Sequence, residues 1–575
     1  MTATTHPTSS PAIGGGFLLE DATPESIFTP EDFTDEQKDI ARTTEEFFQK
    51  EVAPHLDAIQ HQEPGAAVAV LRKAAALGLT AVVVPEEYGG MEMDLMSAMI
   101  VAEKLAKDGS YSAWHGAHAG IGTLPLLLFG NEAQKKKYLP RLASAEMIGA
   151  YCLSEAHAGS DALAAKTRAD LSEDGSHYVL NGQKMWITNG GAADLYTVFA
   201  KVGGEHFTAF LVERGWPGVQ PGAEEKKMGI KGSSTTALFL DNVKVPAENV
   251  LGEVGKGHLI AFNILNIGRL KLGPGTTGAG KHLLQVCLKY AKERTAFGKP
   301  IAAFGMIQHK LAEMAIRLYA SETMTYRVTG MVTSRARDGS WMKAAEEFAA
   351  ECSYVKVFAS ETLSYIADEG VQIHGGYGFH QDYVVERAYR DCRINRIFEG
   401  TNEINRMLAT GMLLKRAQRG RLGLVAAVKA LQAELLAGPA LSTEAPDLAR
   451  NAKKVALLCL GAAYQRFGAE MEEQQEVLAL IADLSIGALA IESAQLRARK
   501  TGSAIAASYT AVFAREAMEQ VEVAGRAVLA ACSTGDALRT NLAVLKRFTK
   551  FEPVDAIALR RKIAAELLAA GRYFV

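Results

Sequence analysis

From Arg390 to Arg406 the chain reads Arg-Asp-Cys-Arg-Ile-Asn-Arg-Ile-Phe-Glu-Gly-Thr-Asn-Glu-Ile-Asn-Arg. One carboxylate, Glu399, sits between a basic, apolar approach and a Gly-Thr pair. Phe398 offers an apolar wall, and Gly400 lets backbone approach a ligand closely. Thr401 is a residue type that caps the start of a helix. A carboxylate in a dry pocket gains basicity, because desolvation disfavours its charged form, so Glu399 is a candidate general base. Taken alone, Glu-Gly-Thr reads as a charged residue at a helix start. The elements around it must decide.

The chain has 575 residues, 48% hydrophobic and 22% charged, an ordinary globular balance with length for about three or four domains. A net charge of −3 gives no electrostatic case for nucleic acid. The six cysteines, Cys152, Cys287, Cys352, Cys392, Cys459 and Cys532, show no metal-ligand spacing, so neither a metal site nor a disulfide framework is expected. Residues 1–28 are rich in Thr, Ser, Pro and Gly, carry no Lys or Arg, and lack the basic and apolar parts of a secretory signal. They are expected to form a mobile arm. No uninterrupted apolar run reaches the roughly 20 residues of a membrane span.

Residues 29–148 read as helical. Thr34-Asp-Glu-Gln37 is a capping box, with Ile40, Phe47, Phe48 and Val52 following at helical spacing. Val82 to Gly90 breaks that region as a loop, and Lys135-Lys136-Lys137 reads as a solvated helix face. Residues 149–256 change to short β-rich runs. Asn181-Gly182 between Tyr178-Val-Leu and Gln-Lys-Met-Trp-Ile187 predicts a hairpin, and 195–202, 207–212 and 237–240 predict further strands of a small barrel or sandwich. Residues 257–414 are helical with Gly-containing breaks, and 415–575 are Ala- and Leu-rich and helical, with loops at 437–446 and 533–537. The expected fold is therefore mainly α with a central β domain, in the order helical domain, β domain, helical bundle and extra C-terminal helical domain.

Five segments, in order, resemble the acyl-CoA dehydrogenase family. They are Tyr151-Cys-Leu-Ser-Glu-Ala-His-Ala-Gly-Ser-Asp161, Met185-Trp-Ile-Thr-Asn-Gly190, Arg294-Thr-Ala-Phe-Gly298, Val371-Gln-Ile-His-Gly-Gly-Tyr-Gly-Phe379 and Ile397-Phe-Glu-Gly-Thr401. The likeness covers roughly residues 35–412. The very-long-chain branch is most similar, through Glu224-Glu-Lys-Lys-Met-Gly-Ile-Lys231, Asn263-Ile-Leu-Asn266, Arg396-Ile-Phe-Glu-Gly-Thr-Asn402 and the extra C-terminal helices. One departure is Ser154-Glu155-Ala156, where the family usually has Thr-Glu-Pro. The hydroxyl is kept, and loss of the proline is expected to loosen the loop slightly.

The resemblance implies oxidation of an acyl-CoA thioester to trans-2-enoyl-CoA, the α proton leaving to a base and the β hydride to FAD. It makes Glu399 the base. In the family, that residue's backbone N–H and a flavin hydroxyl hold the thioester oxygen, where charge builds as the proton departs. Some branches place the base on a helix, just before a family arginine. That arginine matches Arg269, its predecessor here is Gly268, and a glycine cannot be a base, which leaves Glu399. The resemblance assigns FAD contacts to Leu153, Ser154, Trp186, Thr188, Arg294, Phe297, Gln308, Gln372, Gly376, Thr401 and Glu403. It assigns substrate contacts to Ser160, Asn266, Arg269 and Gly400. Arg269 could equally be a structural salt-bridge residue. His118 with Gly116, Gly120 and Gly122 would border the acyl tail, or simply pack a helix.

The implied protein is a homodimer, because a neighbouring subunit supplies part of the grip on FAD, with an electron-transfer flavoprotein as acceptor. It would be bacterial and cytoplasmic. Arg560-Arg561-Lys562 beside Leu559, Ile563, Leu567 and Leu568 would offer peripheral contact to the inner membrane, or form an ordinary packed helix. The alternatives are an acyl-CoA oxidase using oxygen and a non-enzymatic assembly or scaffold flavoprotein.

Overall fold

The computed structural model describes residues 12–336, 341–437 and 446–575. The chain forms two compact units that do not follow sequence order. A mixed unit holds Phe33–His282 and Gly375–Thr401; a helical unit holds the residues up to Asp32, Leu283–His374 and Asn402–Val575.

The mixed unit begins with helices. Thr34 caps Asp35–Phe47, with the capping box closed by Gln37. Asp94 and Asp108 cap Leu95–Leu105 and Gly109–Gly116 in the same way. Residues 82–90 form the expected break, apart from a short turn at Glu86–Tyr88.

Eight strands then form one sheet: β1 Gly149–Cys152, β2 Arg168–Leu171, β3 His177–Thr188, β4 Leu195–Val202, β5 His206–Glu213, β6 Val219–Glu224, β7 Thr235–Pro246 and β8 Val250–Leu251. Their order is β6-β7-β3-β2-β4-β5-β8, with β1 pairing parallel to β4. Leu180, Ile187, Leu238 and Val245 from β3 and β7 share one apolar core with Val198, Phe210 and Val212 from β4 and β5. The sheet therefore folds over itself to bury that face.

The expected hairpin at Asn181-Gly182 is not there. β3 runs straight through both residues, and the strand absorbs them as an irregularity between Leu180 and Gly182 in its pairing with β7. The glycine serves close packing instead: a Cβ on Gly182 would lie 2.6 Å from Thr167 Oγ1.

In the helical unit, residues 12–28 are not a mobile arm. Phe17 and Leu18 are buried, and Phe17 meets Tyr354 edge-on at 6.1 Å. The backbone N–H groups of Gly14 and Gly15 donate to Glu347 at 2.8 Å and Glu351 at 2.6 Å. The Gly14-Gly15-Gly16 run permits this contact, since a Cβ on Gly14 would lie 1.9 Å from the Glu347 carbonyl oxygen. Residues 1–11 of that arm, and most of the loop expected at 437–446, lie outside the described residues.

The residues beyond Lys415 are the expected extra C-terminal helices, and among them Gln475–Thr501 packs on Gly305–Arg335 and Asn402–Gln418 within the helical unit. Among the described residues, Gln475–Thr501 is the one helix long and apolar enough to cross a membrane, and 78% of its apolar window is buried in the protein. Its Arg497 is itself buried and pairs with Glu322 at 2.6 Å and Glu31 at 2.7 Å. Of the two readings of Arg560-Arg561-Lys562, membrane contact and a packed helix, the packed helix is the one found. Arg560 is buried between Glu313, at 2.8 Å, and Glu516, and Ile563 and Leu567 are buried. Arg561 and Lys562 alone remain exposed.

Arg497→Ala strands Glu322 in the interior. It is expected to cost about 3–5 kcal/mol of unfolding free energy, measured by urea denaturation of purified protein.

Candidate functional site

Glu399 occupies a sharp link in the mixed unit. The short helical turn Arg393–Arg396 ends just before it, and the helix Asn402–Gln418 starts just after. Glu399 and Gly400 both take left-handed backbone, at φ 59° and 83°. Glycine tolerates this; a glutamate adopts it at a cost and persists only where its surroundings over-determine it.

The surroundings come from two sides. Beyond the turn, the Asp391 carboxylate accepts from the Ile230 backbone N–H, and Arg390 donates to the Met228 carbonyl at 3.2 Å. A Cβ on Gly229 would collide with the Arg390 backbone at 2.4 Å, so the Glu224–Lys231 segment fits against the approach to Glu399. Burial pushes the Asp391 carboxyl up to about 6. From the other side comes the long helix Gly257–Glu293. Arg269 Nε donates to the Glu399 carbonyl oxygen at 3.1 Å, and its Nη1 donates to Asn266 Oδ1 at 2.8 Å. Arg269 and Asn266 are both buried. Of the pair assigned to substrate, Arg269 therefore clasps the loop that carries Glu399, and Asn266 holds Arg269.

Gly268 completes the fit. A Cβ there would lie 2.7 Å from Glu399 Oε2 and 2.9 Å from its carboxyl carbon. The carboxylate thus occupies the space that any side chain at position 268 would fill. Tyr151, buried on β1, and Lys271, three residues beyond Gly268, both feel the Glu399 charge.

A second group gathers at the sheet. The Met185 N–H donates to the Ser154 carbonyl at 2.9 Å, bringing the segment after β1 against β3. Next to it Trp186 has φ 60° and is 57% exposed, at a register shift between Lys184 and Ile187. A bulge of this kind re-aims a side chain, here a large aromatic ring into the open. Thr188 lies half-buried two residues on, Leu153 is buried, and Ser154 is half-buried. The Glu155 carboxylate beneath accepts from Lys166 N at 2.6 Å, Thr167 N at 3.1 Å, Thr167 Oγ1 at 2.5 Å and Lys184 Nζ at 2.7 Å. Burial opposes its charge, but Lys184 and the N–H donors hold the carboxyl below its ordinary value. Those four donations anchor the loop despite Ala156 in place of proline. Ser160 is exposed on the same loop.

The remaining assigned residues fall mostly in the helical unit. Thr295–Ala296 pairs with Lys299–Pro300, which leaves Phe297 and Gly298 as the turn, at φ 51° and 77°. Positive φ at both central positions is the tight hairpin geometry that favours Asn and Gly, yet Phe297 stands there 94% exposed. Arg294 precedes it, and Gln308 folds back to the Ala302 carbonyl at 3.0 Å. Tyr290 stacks on His374 with ring centroids 3.9 Å apart, which brings the Arg294 end of its helix beside the Gln372 end of Ala349–His374. Glu403 is exposed on Asn402–Gln418; Gly376 and Thr401 belong to the mixed unit.

The glycines assigned to the acyl tail divide. Gly122 packs against Gly149 backbone, where a Cβ would lie 2.8 Å away, so helix packing explains it. Gly116 and Gly120 face Lys271 instead. His118 accepts the Gly149 N–H at 3.1 Å and hydrogen-bonds the Leu142 carbonyl at 3.0 Å. Lys271 was missed in the sequence; its spacing from Gly268 on one helix is the signal that could have found it.

Models of the acyl-CoA dehydrogenase N-terminal, middle and C-terminal domains match residues 34–146, 150–243 and 255–414, and a further C-terminal domain model matches 451–547. The chain is 49% identical over 584 residues to a probable acyl-CoA dehydrogenase of Bacillus subtilis (strain 168), with 98% of each covered. It belongs to the acyl-CoA dehydrogenase family. A solved acyl-CoA dehydrogenase complexed with FAD from Bacillus anthracis is similar with a TM-score of 0.96 and 47% identity, over 98% of this chain and 100% of that one. The human mitochondrial very long-chain specific acyl-CoA dehydrogenase is 44% identical over 341 residues, which are 58% of this chain and 51% of that protein.

In this acyl-CoA dehydrogenase family member, Gly268→Ala is expected to fold normally while displacing the Glu399 carboxylate. Misplacement of a reacting group by about 1 Å can cost on the order of a hundredfold, so with Glu399 in the role proposed below a fall in kcat of about ten- to a hundredfold with unchanged thermal unfolding is the expected result.

Proposed function

We propose that the protein catalyses FAD-dependent α,β-dehydrogenation of long- to very-long-chain acyl-CoA, with Glu399 as the base. The observation that carries this reading is the seat of the carboxylate: Glu399 is held in left-handed backbone by Arg269 and lies in the gap left by Gly268. A carboxylate positioned by its own backbone, with no side chain between it and the helix, is preorganised to take a proton from a fixed point.

The residues present fit FAD. Trp186 offers an exposed aromatic face at a bulged strand position, and Ser154 and Thr188 offer hydroxyls beside it. Arg294 suits a pyrophosphate, and Phe297 projects its ring at a strained turn. The relative from Bacillus anthracis is complexed with FAD, which supports the assignment. When bound, FAD supplies the acceptor for the β hydride.

The chain's own contribution is positional. Glu399 receives the α proton. Its backbone N–H is the donor that the family likeness assigns to the thioester oxygen, where negative charge grows as that proton leaves. Gly400 leaves room for close approach of the thioester. Arg269 and Asn266 act on the loop. Leu153, Thr401 and Glu403 are further proposed cofactor contacts, and Ser160 a further proposed substrate contact. Arg294, Phe297, Gln308, Gln372 and Gly376 are proposed to grip the adenosine and pyrophosphate end of the FAD of a second copy, which makes the working form a homodimer. An electron-transfer flavoprotein is the proposed acceptor. Likeness to the very-long-chain branch supports the chain-length reading.

Glu399→Gln is expected to retain FAD and to bind long-chain acyl-CoA, while anaerobic flavin bleaching in stopped flow slows by about a thousandfold or more. Bleaching near the wild-type rate would remove Glu399 from the chemistry. In the wild type, bleaching should be faster with long than with short acyl-CoAs, and hydrogen peroxide released in step with turnover would reveal an oxidase.

A further inference from the structure

Lys271 belongs to none of the five family-like segments, and it has no part in the chemistry above. It follows Gly268 by three residues on the helix Gly257–Glu293, so the two share one face with Cβ positions about 5–6 Å apart. Gly268 is the residue against which the Glu399 carboxylate lies. The opposite wall is made of small residues. Lys271 Nζ reaches the Gly116 carbonyl at 3.5 Å, the outer limit of a hydrogen bond, and a Cβ on Gly120 would lie 3.3 Å from it. Gly120 thus leaves room for the ammonium, and Gly116 turns its carbonyl toward it.

The groups facing this pair come from four elements. Arg269, on the same helix, is permanently charged, and its guanidinium is spent on the Glu399 carbonyl and Asn266. From β1, Tyr151 is held a neutral phenol, raised well above its ordinary value by burial and by the Glu399 charge. From Gly109–Gly116 and the turn Ala117–Gly122 come His115 and His118, pulled down to about 3 and about 4 by burial, the Lys271 charge adding to the effect. Both are neutral at working pH. Burial lowers Lys271 to about 8, and the Glu399 charge opposes the fall. Lys271 is therefore cationic at neutral pH and loses its proton in mild alkali.

We infer that Lys271 is a positioning residue for the dehydrogenation, its ammonium holding the Glu399 carboxylate in the ionised form that can accept a proton. The inference rests on Glu399 being the base. A dry pocket favours the protonated acid, which cannot act; an opposite charge within about 4–6 Å favours the carboxylate. Lys271 supplies that charge from the helix face Glu399 already touches, and its own proton affinity responds to the Glu399 charge in return.

The test is the pH profile of kcat/KM for the holoenzyme with a long-chain acyl-CoA, over about pH 5 to 9, which reports groups of the free enzyme. It is run on the wild type, Lys271→Met and Lys271→Arg, with Lys271→Gln as a second neutral variant should Lys271→Met fold poorly. Alongside it, the carboxylate band of Glu399 is titrated by difference infrared spectroscopy, using Glu399→Gln in each background for subtraction. The neutral variant should move the acid limb up by about one pH unit, with kcat/KM about tenfold lower at its foot and approaching wild type above about pH 8. The infrared titration should move by the same amount, and Lys271→Arg should restore both. An unmoved acid limb, or a uniform loss at every pH with an unmoved infrared titration, would overturn the inference. Wild-type protein that reduces no flavin with any acyl-CoA would sink the proposed function instead, and the infrared titration would still decide whether Lys271 governs the charge on Glu399.

Discussion

The absence of a side chain at Gly268 is the constraint on which the site depends. The Glu399 carboxylate fills that gap, and the fit works only because the backbone at 399 and 400 turns through the left-handed region. Such a turn costs a glutamate on the order of 1–3 kcal/mol, which the surrounding contacts must supply. Arg269 on the Glu399 carbonyl, Asp391 on Ile230 and the bare backbone face of Gly229 are those contacts. Loop, helix and sheet segment are thus fixed by one another, and the main chain carries the carboxylate to its place beside Gly268.

The same device recurs at the proposed cofactor positions. Trp186 and Phe297, like Glu399, are non-glycine residues in left-handed backbone, and both rings are left open. Strain of this kind persists where the fold imposes it and where a ring must be aimed in one direction. At Trp186 the bulge of β3 imposes it, and at Phe297 the two-residue turn does. Charged groups in the helical unit follow a different logic. Arg497, Arg327 and Lys453 are each buried against acidic partners, so charge there is spent on holding helices and the N-terminal segment together.

Much of this was legible in the sequence, and the rest was not for identifiable reasons. The succession of helical, β and helical regions follows from hydrophobic spacing, and Glu399 stands in a contiguous segment whose neighbours carry the likeness to the acyl-CoA dehydrogenase family. Asn181-Gly182 misled because the pair is the commonest tight-turn signal, while here a glycine was needed against Thr167 inside a straight strand. The glycine run at 14–16 misled in the same way: it reads as looseness and serves close contact with Glu347. Arg560 left two readings open, membrane contact and a packed helix, because the acidic partner that decides between them, Glu313, lies 247 positions away. The same holds for Lys271, whose relation to Gly116 and Glu399 exists only once helix and loop are folded. Local signals reported local structure; partnerships across the chain needed coordinates.

The central claim is that Glu399 moves the α hydrogen of a bound thioester. It is tested most directly by proton magnetic resonance of a long-chain acyl-CoA incubated anaerobically in deuterated water with the flavin-loaded protein. The account predicts deuterium at the α carbon with the native protein, and none above background when Glu399 is replaced by alanine. Exchange that persists undiminished without the Glu399 carboxylate would contradict it.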